Sequence, residues 1–135
     1  MGNFIDLFLK YRTFENTDYY NVKGNFRAKI VEIHKGDCVS IIIFNNFKFE
    51  KHKIVMGDYY IADISKNTNN FYKMKQMEKI ENAKKFLKEK ILNKIVDIEI
   101  IGYERGVLMG NVTFEKKELG EIMINNNLGY PFLFR

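Results

Sequence analysis

The chain has 135 residues, 46% of them hydrophobic and 15% aromatic, enough apolar material for one domain with a full core. Its 22 Lys and Arg outnumber 17 Asp and Glu, for a net charge of +5, so polyanions suit it as partners, although the surplus is far below a histone-like balance. Cys38 is the only cysteine, which excludes an internal disulfide and a Cys-rich zinc site and fits a reducing compartment. No run nears the roughly 18 apolar residues that span a bilayer, and no cleavable leader pattern is apparent. These features predict a location inside a cell, in cytoplasm or nucleus, or in a virion. The single proline, the absence of tryptophan and the many Asn, Lys and Ile suggest codon bias, so individual Asn and Lys residues carry little weight.

Residues 1–21 read as an apolar N-terminal helical segment, and residues 22–135 as the domain. The start Met1-Gly2-Asn3-Phe4-Ile5-Asp6 is similar to a myristoylation pattern, but Asp6 stands where Ser or Thr is required, which argues against acylation of Gly2. Phe4 and Phe8 at this end, and Phe132 and Phe134 at the other, form apolar segments expected to meet each other or a partner. From Phe26 to His34 the residues alternate and are β-branched; a turn at His34 to Asp37 leads into a second strand, Cys38 to Phe44. Asn45-Asn46 tolerate positive φ and predict a second tight turn into a third strand over Phe47 to Met56. Tyr59 to Ile64 extends the meander, and the polar stretch Ser65 to Asn70 predicts a loop.

Ile80, Ala83, Leu87 and Ile91 then recur at helical spacing, predicting a helix over about Lys75 to Asn93. A fourth strand follows at Ile95 to Ile101 and a fifth at Val107 to Phe114, whose internal Gly110 predicts a bulge or a close backbone approach. Glu118 to Asn126 reads as a second helix with Leu119, Ile122 and Met123 inward, ending in the Asn/Gly manner at Asn127-Leu128-Gly129. The fold class is therefore mainly β with helices: a five-stranded OB-fold barrel, with a helix between strands three and four and a C-terminal helix. A plain α+β sheet with two helices is the competing arrangement, because a linear pattern does not reveal closure.

Three segments stand out in chain order: Val31-Glu-Ile-His-Lys-Gly-Asp37-Cys-Val39, Tyr103-Glu104-Arg105-Gly106-Val107-Leu108, and Leu119 to Phe132. Together they resemble the staphylococcal nuclease (thermonuclease-like) family, including divergent copies in large DNA viruses and protists. The resemblance covers roughly Val22 to Phe132 and implies a barrel with phosphodiester-cleaving ancestry. In that family two aspartates hold calcium, a glutamate positions or deprotonates water, and two arginines clamp the phosphate. Asp37 matches the first metal aspartate and Arg105 the second arginine. The other three roles belong to a segment ending in Thr-Pro-Glu, which is absent here. With Gly57 on the family glycine, Ile54 replaces the first arginine, Tyr59 the second aspartate and Ala62 the glutamate. A shifted register sets Asp63 on the metal aspartate but puts Asp58 at the arginine and Lys66 at the glutamate.

Losing one positioned donor or base typically costs about 10² to 10⁴ in rate, so losing several implies a degenerate module that binds rather than cuts, with no cofactor. The alternative is a calcium-dependent nuclease with rearranged residues, drawing on Glu50, Asp58 or Glu104. The expected partners are nucleic acid or a protein assembly. Arg105 is expected as a vestigial phosphate contact, Asp37 and Asp63 as vestigial metal ligands, and Tyr103, Lys84 and Lys88 as nucleic-acid contacts. Each has a plainer reading: a hairpin-turn aspartate, a ring covering the barrel end, a solvated lysine face. Of Phe47, Phe49, Tyr59, Tyr60, Phe71 and Tyr72, which are able to stack bases, core packing is expected to claim at least half. His34 and His52 read as surface residues of β-structure, and Cys38 as a small buried side chain.

Overall fold

The computed structural model describes residues 24–62 and 69–132. Phe4, Phe8, Asp63 and Phe134, and the apolar N-terminal segment, lie outside the described residues. Strand β1 (Gly24–Lys35) pairs antiparallel with β2 (Cys38–Asn45), and β2 with β3 (Lys48–Met56). After a short β4 (Tyr59–Tyr60) and helix α1 (Asn70–Ile91), β5 (Ile95–Glu104) returns to the free side of β1 and pairs with β6 (Val107–Phe114). Two-residue strands β7 (Lys117–Glu118) and β8 (Tyr130–Pro131) flank helix α2 (Leu119–Asn125). A parallel pairing of β3 with β6, Ile54 to Leu108 through Met56 to Gly110, closes the five long strands into a barrel. The chain is thus mainly β with two helices and an OB-like closed barrel, not an open α+β sheet.

Alternation decides what fills it. Ile30 of β1, Ile41 and Ile43 of β2, Ile54 of β3, Ile98 of β5 and Leu108 of β6 are fully or almost fully buried. Each contributes roughly 1.5–3 kcal/mol of transfer free energy relative to exposure. A register shift between Ile30 and Glu32 lets Ile33 turn inward again near the end of β1.

Helix α1 begins at Asn70, five residues before the expected Lys75. The side chain of Asn69 accepts a hydrogen bond from the Tyr72 amide at 2.9 Å and caps it. Only its second half meets the barrel, through Ala83, Leu87 and Ile91. Its exit is tied to β1, where the Asn93 amide donates to the Ile30 carbonyl at 2.7 Å and the Ile30 amide to the Lys94 carbonyl at 3.0 Å. Helix α2 buries Leu119 and Met123 and ends as its sequence predicts, with Asn127 at φ 58° and the Leu128 and Gly129 amides bonded to the Met123 carbonyl.

Beyond the expected elements, β8 pairs with β4, and the Tyr60 ring packs 5.0 Å from Phe132 and 5.5 Å from Tyr130. Three hairpin turns have positive φ at both central residues: Asn46-Phe47, Arg105-Gly106 and Glu115-Lys116. The second turn therefore lies one residue later than Asn45-Asn46, and it holds Phe47 at φ 63°. A non-glycine residue there costs about 1–2 kcal/mol, because Cβ crowds its own carbonyl.

Gly110 lies at the barrel seam, as its position within a strand predicts. A side-chain carbon there would sit 2.6 Å from the Glu99 carbonyl oxygen and 2.8 Å from Ile54 Cδ1, and the Gly57 amide donates to the Gly110 carbonyl at 2.8 Å. Gly110→Ala is expected to destabilise the fold by about 1–3 kcal/mol in urea unfolding; an unchanged midpoint would mean that the seam has room to spare.

Candidate nucleic-acid interface

Asp37 occupies the β1–β2 turn, beside the end of β3. Its carbonyl accepts from the Met56 amide at 2.9 Å, and its Oδ2 accepts from the Ile61 amide at 3.2 Å. Next to it the Tyr59 hydroxyl donates to the Gly36 carbonyl at 2.6 Å. Tyr59 is fully buried; burial, then the charges of Asp37 and Asp58, push its phenol well above the ordinary value of 10, so it remains a neutral donor. Both groups serve the fold at this point: the carboxylate secures the strand leaving β3, and the phenol fastens the turn. Asp58 turns to the start of α2, where a Cβ on Gly120 would overlap its carboxylate. No group of three or more His, Cys, Asp and Glu that could hold a metal ion is gathered among the described residues.

Arg105 and Tyr103 are exposed on the β5–β6 hairpin, with Arg105 at φ 53° in its turn. Arg105 lies in the tight turn that joins Glu104 to Val107, whereas Asp37 lies in the β1–β2 turn and bonds at Met56. Lys84 and Lys88 flank the buried stripe of α1, which packs chiefly against β1. Lys79 is engaged elsewhere, donating to the Tyr130 hydroxyl and lying 4.2 Å from that ring's centroid.

A different set does converge. On the outer face of the meander, Lys29 of β1, Ile42 of β2 and Lys51 of β3 form one cross-strand row. Phe44 lies opposite Phe49 one row above, and Lys53 opposite Ser40 one row below. The Phe44 and Phe49 rings are 5.2 Å apart and tilted by 57°. Phe44 is 56% exposed, Phe47 at the turn 59% and Phe49 77%, while Lys29, Lys51 and Lys53 are all exposed. Glu32 in the Lys53 row is acidic and lies 3.9 Å from His34. The face thus combines flat apolar rings with unburied cations, which is what stacking on bases and tracking phosphates requires. The expectation that core packing claims half of the six aromatics fails: Tyr59 alone is buried, and Phe47, Phe49, Tyr60, Phe71 and Tyr72 are exposed.

The opposite side has the wrong sign for a polyanion. A groove of about 390 Å³ is lined by Asn25, Phe26, Arg27, Asp97, Ile98, Glu99 and Thr113, and Arg27 is paired with Asp97 at 3.0 Å.

Beneath the aromatic tip, inward-facing Glu50 and His52 form a polar pair. Glu50 Oε1 meets His52 Nε2 at 2.9 Å and accepts from Asn45 Nδ2 at 3.3 Å, with side chains only 18% and 11% exposed for Glu50 and His52. His52 is therefore not a surface residue, because its partner sits two positions back on the inward side of the same strand. His34 is half-buried as well, 2.6 Å from the Ser40 hydroxyl. Cys38 is buried as expected, and burial pushes its thiol up, against the partly offsetting charge of Lys53.

Comparison of the chain with protein-family models and with curated proteins gives no match.

Burial raises the Glu50 carboxyl, but the hydrogen bonds from His52 and Asn45 and the nearby positive charges outweigh it, leaving a net value below the ordinary 4.5. A lowered folded-state value stabilises above the unfolded one and is lost as pH falls through it. Glu50→Gln is therefore expected to weaken the fold at neutral pH and to flatten the loss of stability below pH 4.5, measured by denaturant titration across pH. Parallel curves for the two proteins would refute this.

Proposed function

We propose that the chain is a catalytically degenerate staphylococcal-nuclease-like OB module that acts by binding nucleic acid. The observation that carries this reading is the basic and aromatic outer face of β1, β2 and β3, with Lys29, Lys51 and Lys53 in the rows below exposed phenylalanines. Cations on a barrel face attract phosphates without regard to sequence, and open-faced aromatics add sequence-tolerant stacking. The nearest counterpart of a cutting pocket supports loss of catalysis: Asp37 bonds a backbone amide, Tyr59 is sealed in the core and Ile54 stands where a phosphate clamp would. Arg105 and Tyr103, exposed at the β5–β6 hairpin, add a second cationic and aromatic point. A calcium-dependent phosphodiesterase with rearranged residues is the rival.

Binding of a labelled 30-mer oligonucleotide is expected to weaken steeply with salt, without cleavage in calcium. For single strands each phosphate contact contributes about 0.7 to the slope of log affinity against log salt, so Lys51→Ala with Lys53→Ala is expected to reduce that slope by roughly one unit. Calcium-dependent turnover abolished by Asp37→Ala and by Arg105→Ala would overturn the binding reading.

A further inference from the structure

Resting on the nucleic-acid reading, we infer that the β2–β3 hairpin tip is a stacking wedge for unpaired bases, with Phe47 as its leading contact and Phe44 and Phe49 as its platform. Three observations carry it. Phe47 occupies a turn position whose left-handed backbone favours glycine, at φ 63°, and the preceding Asn46, at φ 53°, is a residue that tolerates it. Burial does not account for Phe47: it is 59% exposed and makes no ring contact among the described residues, whereas Phe44 and Phe49 face each other. Glu115-Lys116 adopts the same conformation at the β6–β7 turn with soluble side chains, so this geometry does not itself require a large apolar ring.

The surroundings identify the occupant. Lys51 and Lys29 follow one row below the Phe44–Phe49 pair and Lys53 one row further, so the rings stand at the end of a cationic track, while Lys48 lies 3.9 Å from Glu50 on the other parity of β3. An apolar tip for a protein groove does not call for that line of exposed amines, whereas a phosphate backbone with its bases turned out fits both. Duplex DNA keeps its bases stacked on one another, so the wedge selects single strands. Beneath it, the Glu50, His52 and Asn45 set holds the two arms together from the inside and leaves the outer rings free to contact ligand.

The test uses the full chain, oligo(dT) of 30 nucleotides and a mixed-sequence duplex of equal length, with binding read by anisotropy and stability by thermal melting. Expected are preference for the single strand and, for Phe47→Gly, affinity lower by about tenfold with stability held or raised, since glycine relieves the turn. Phe47→Leu, apolar but without a flat ring, is expected to lose affinity as well. If the wild-type protein binds the single strand with a salt-dependent slope while Phe47→Gly binds equally, or if duplex binds as well as single strand, the wedge is overturned and the binding module stands. Loss of stability with affinity in Phe47→Gly would make the ring structural and likewise overturn the wedge. If the wild-type protein binds neither nucleic acid even at low salt, the functional reading itself falls and the tip is left to a protein partner.

Discussion

Everything in this fold depends on two backbones meeting at Gly110. Strands β3 and β6 run parallel for only three residue pairs, yet that short pairing turns a sheet with two open edges into a barrel. The approach demands a residue without a side chain, since Glu99 and Ile54 already fill the space a methyl group would need. Closure fixes which residues point inward along β3, and through the β2 register it fixes that Lys51 and Lys53 point outward with Phe49. The candidate interface is in this sense the outside of the core.

The end of the barrel at Gly36 is fastened differently. Tyr59 reaches from β4 to the Gly36 carbonyl, Asp37 reaches back to Ile61, and a Cβ at Gly36 would press on Ala83 of α1. Turn, helix and exit strand therefore share one crowded junction. The Asp37 carboxylate and the Tyr59 phenol each bond a backbone group there, which ties the turn to the chain that leaves β4.

Most of the scaffold was legible in the sequence because period-two runs of isoleucine and valine, tight-turn pairs and an apolar helical stripe each dictate one local geometry. Gly110 and the Asn127 helix end were legible for the same reason. Closure was expected only from the order of the elements, since it rests on a contact between residues 54 and 108 that no local pattern encodes. The start of α1 was missed because Asn69 is one asparagine among many, and only its hydrogen bond to the Tyr72 amide distinguishes it as a cap. The second turn was misplaced by one residue: Asn45-Asn46 is the better turn by preference, yet the chain turns at Asn46-Phe47, which moves the β2–β3 pairing by two residues and leaves the same side chains outward. The aromatics were assigned at least half to the core because large rings are ordinarily buried, whereas here the strand face that carries Phe44 and Phe49 is left uncovered.

Strand β1 holds a further consequence. It is hydrogen-bonded on one side to β2, its neighbour in sequence, and on the other to β5, where the Arg27 to Asp97 pair spans 70 residues. The meander of β1, β2 and β3 can assemble from nearby chain in microseconds, as hairpins do, but β5 arrives only after the long α1 segment has been traversed. During that interval the inner isoleucines and an unpaired edge face water together, so docking of the second half onto the first is the step expected to be slow and sensitive to concentration.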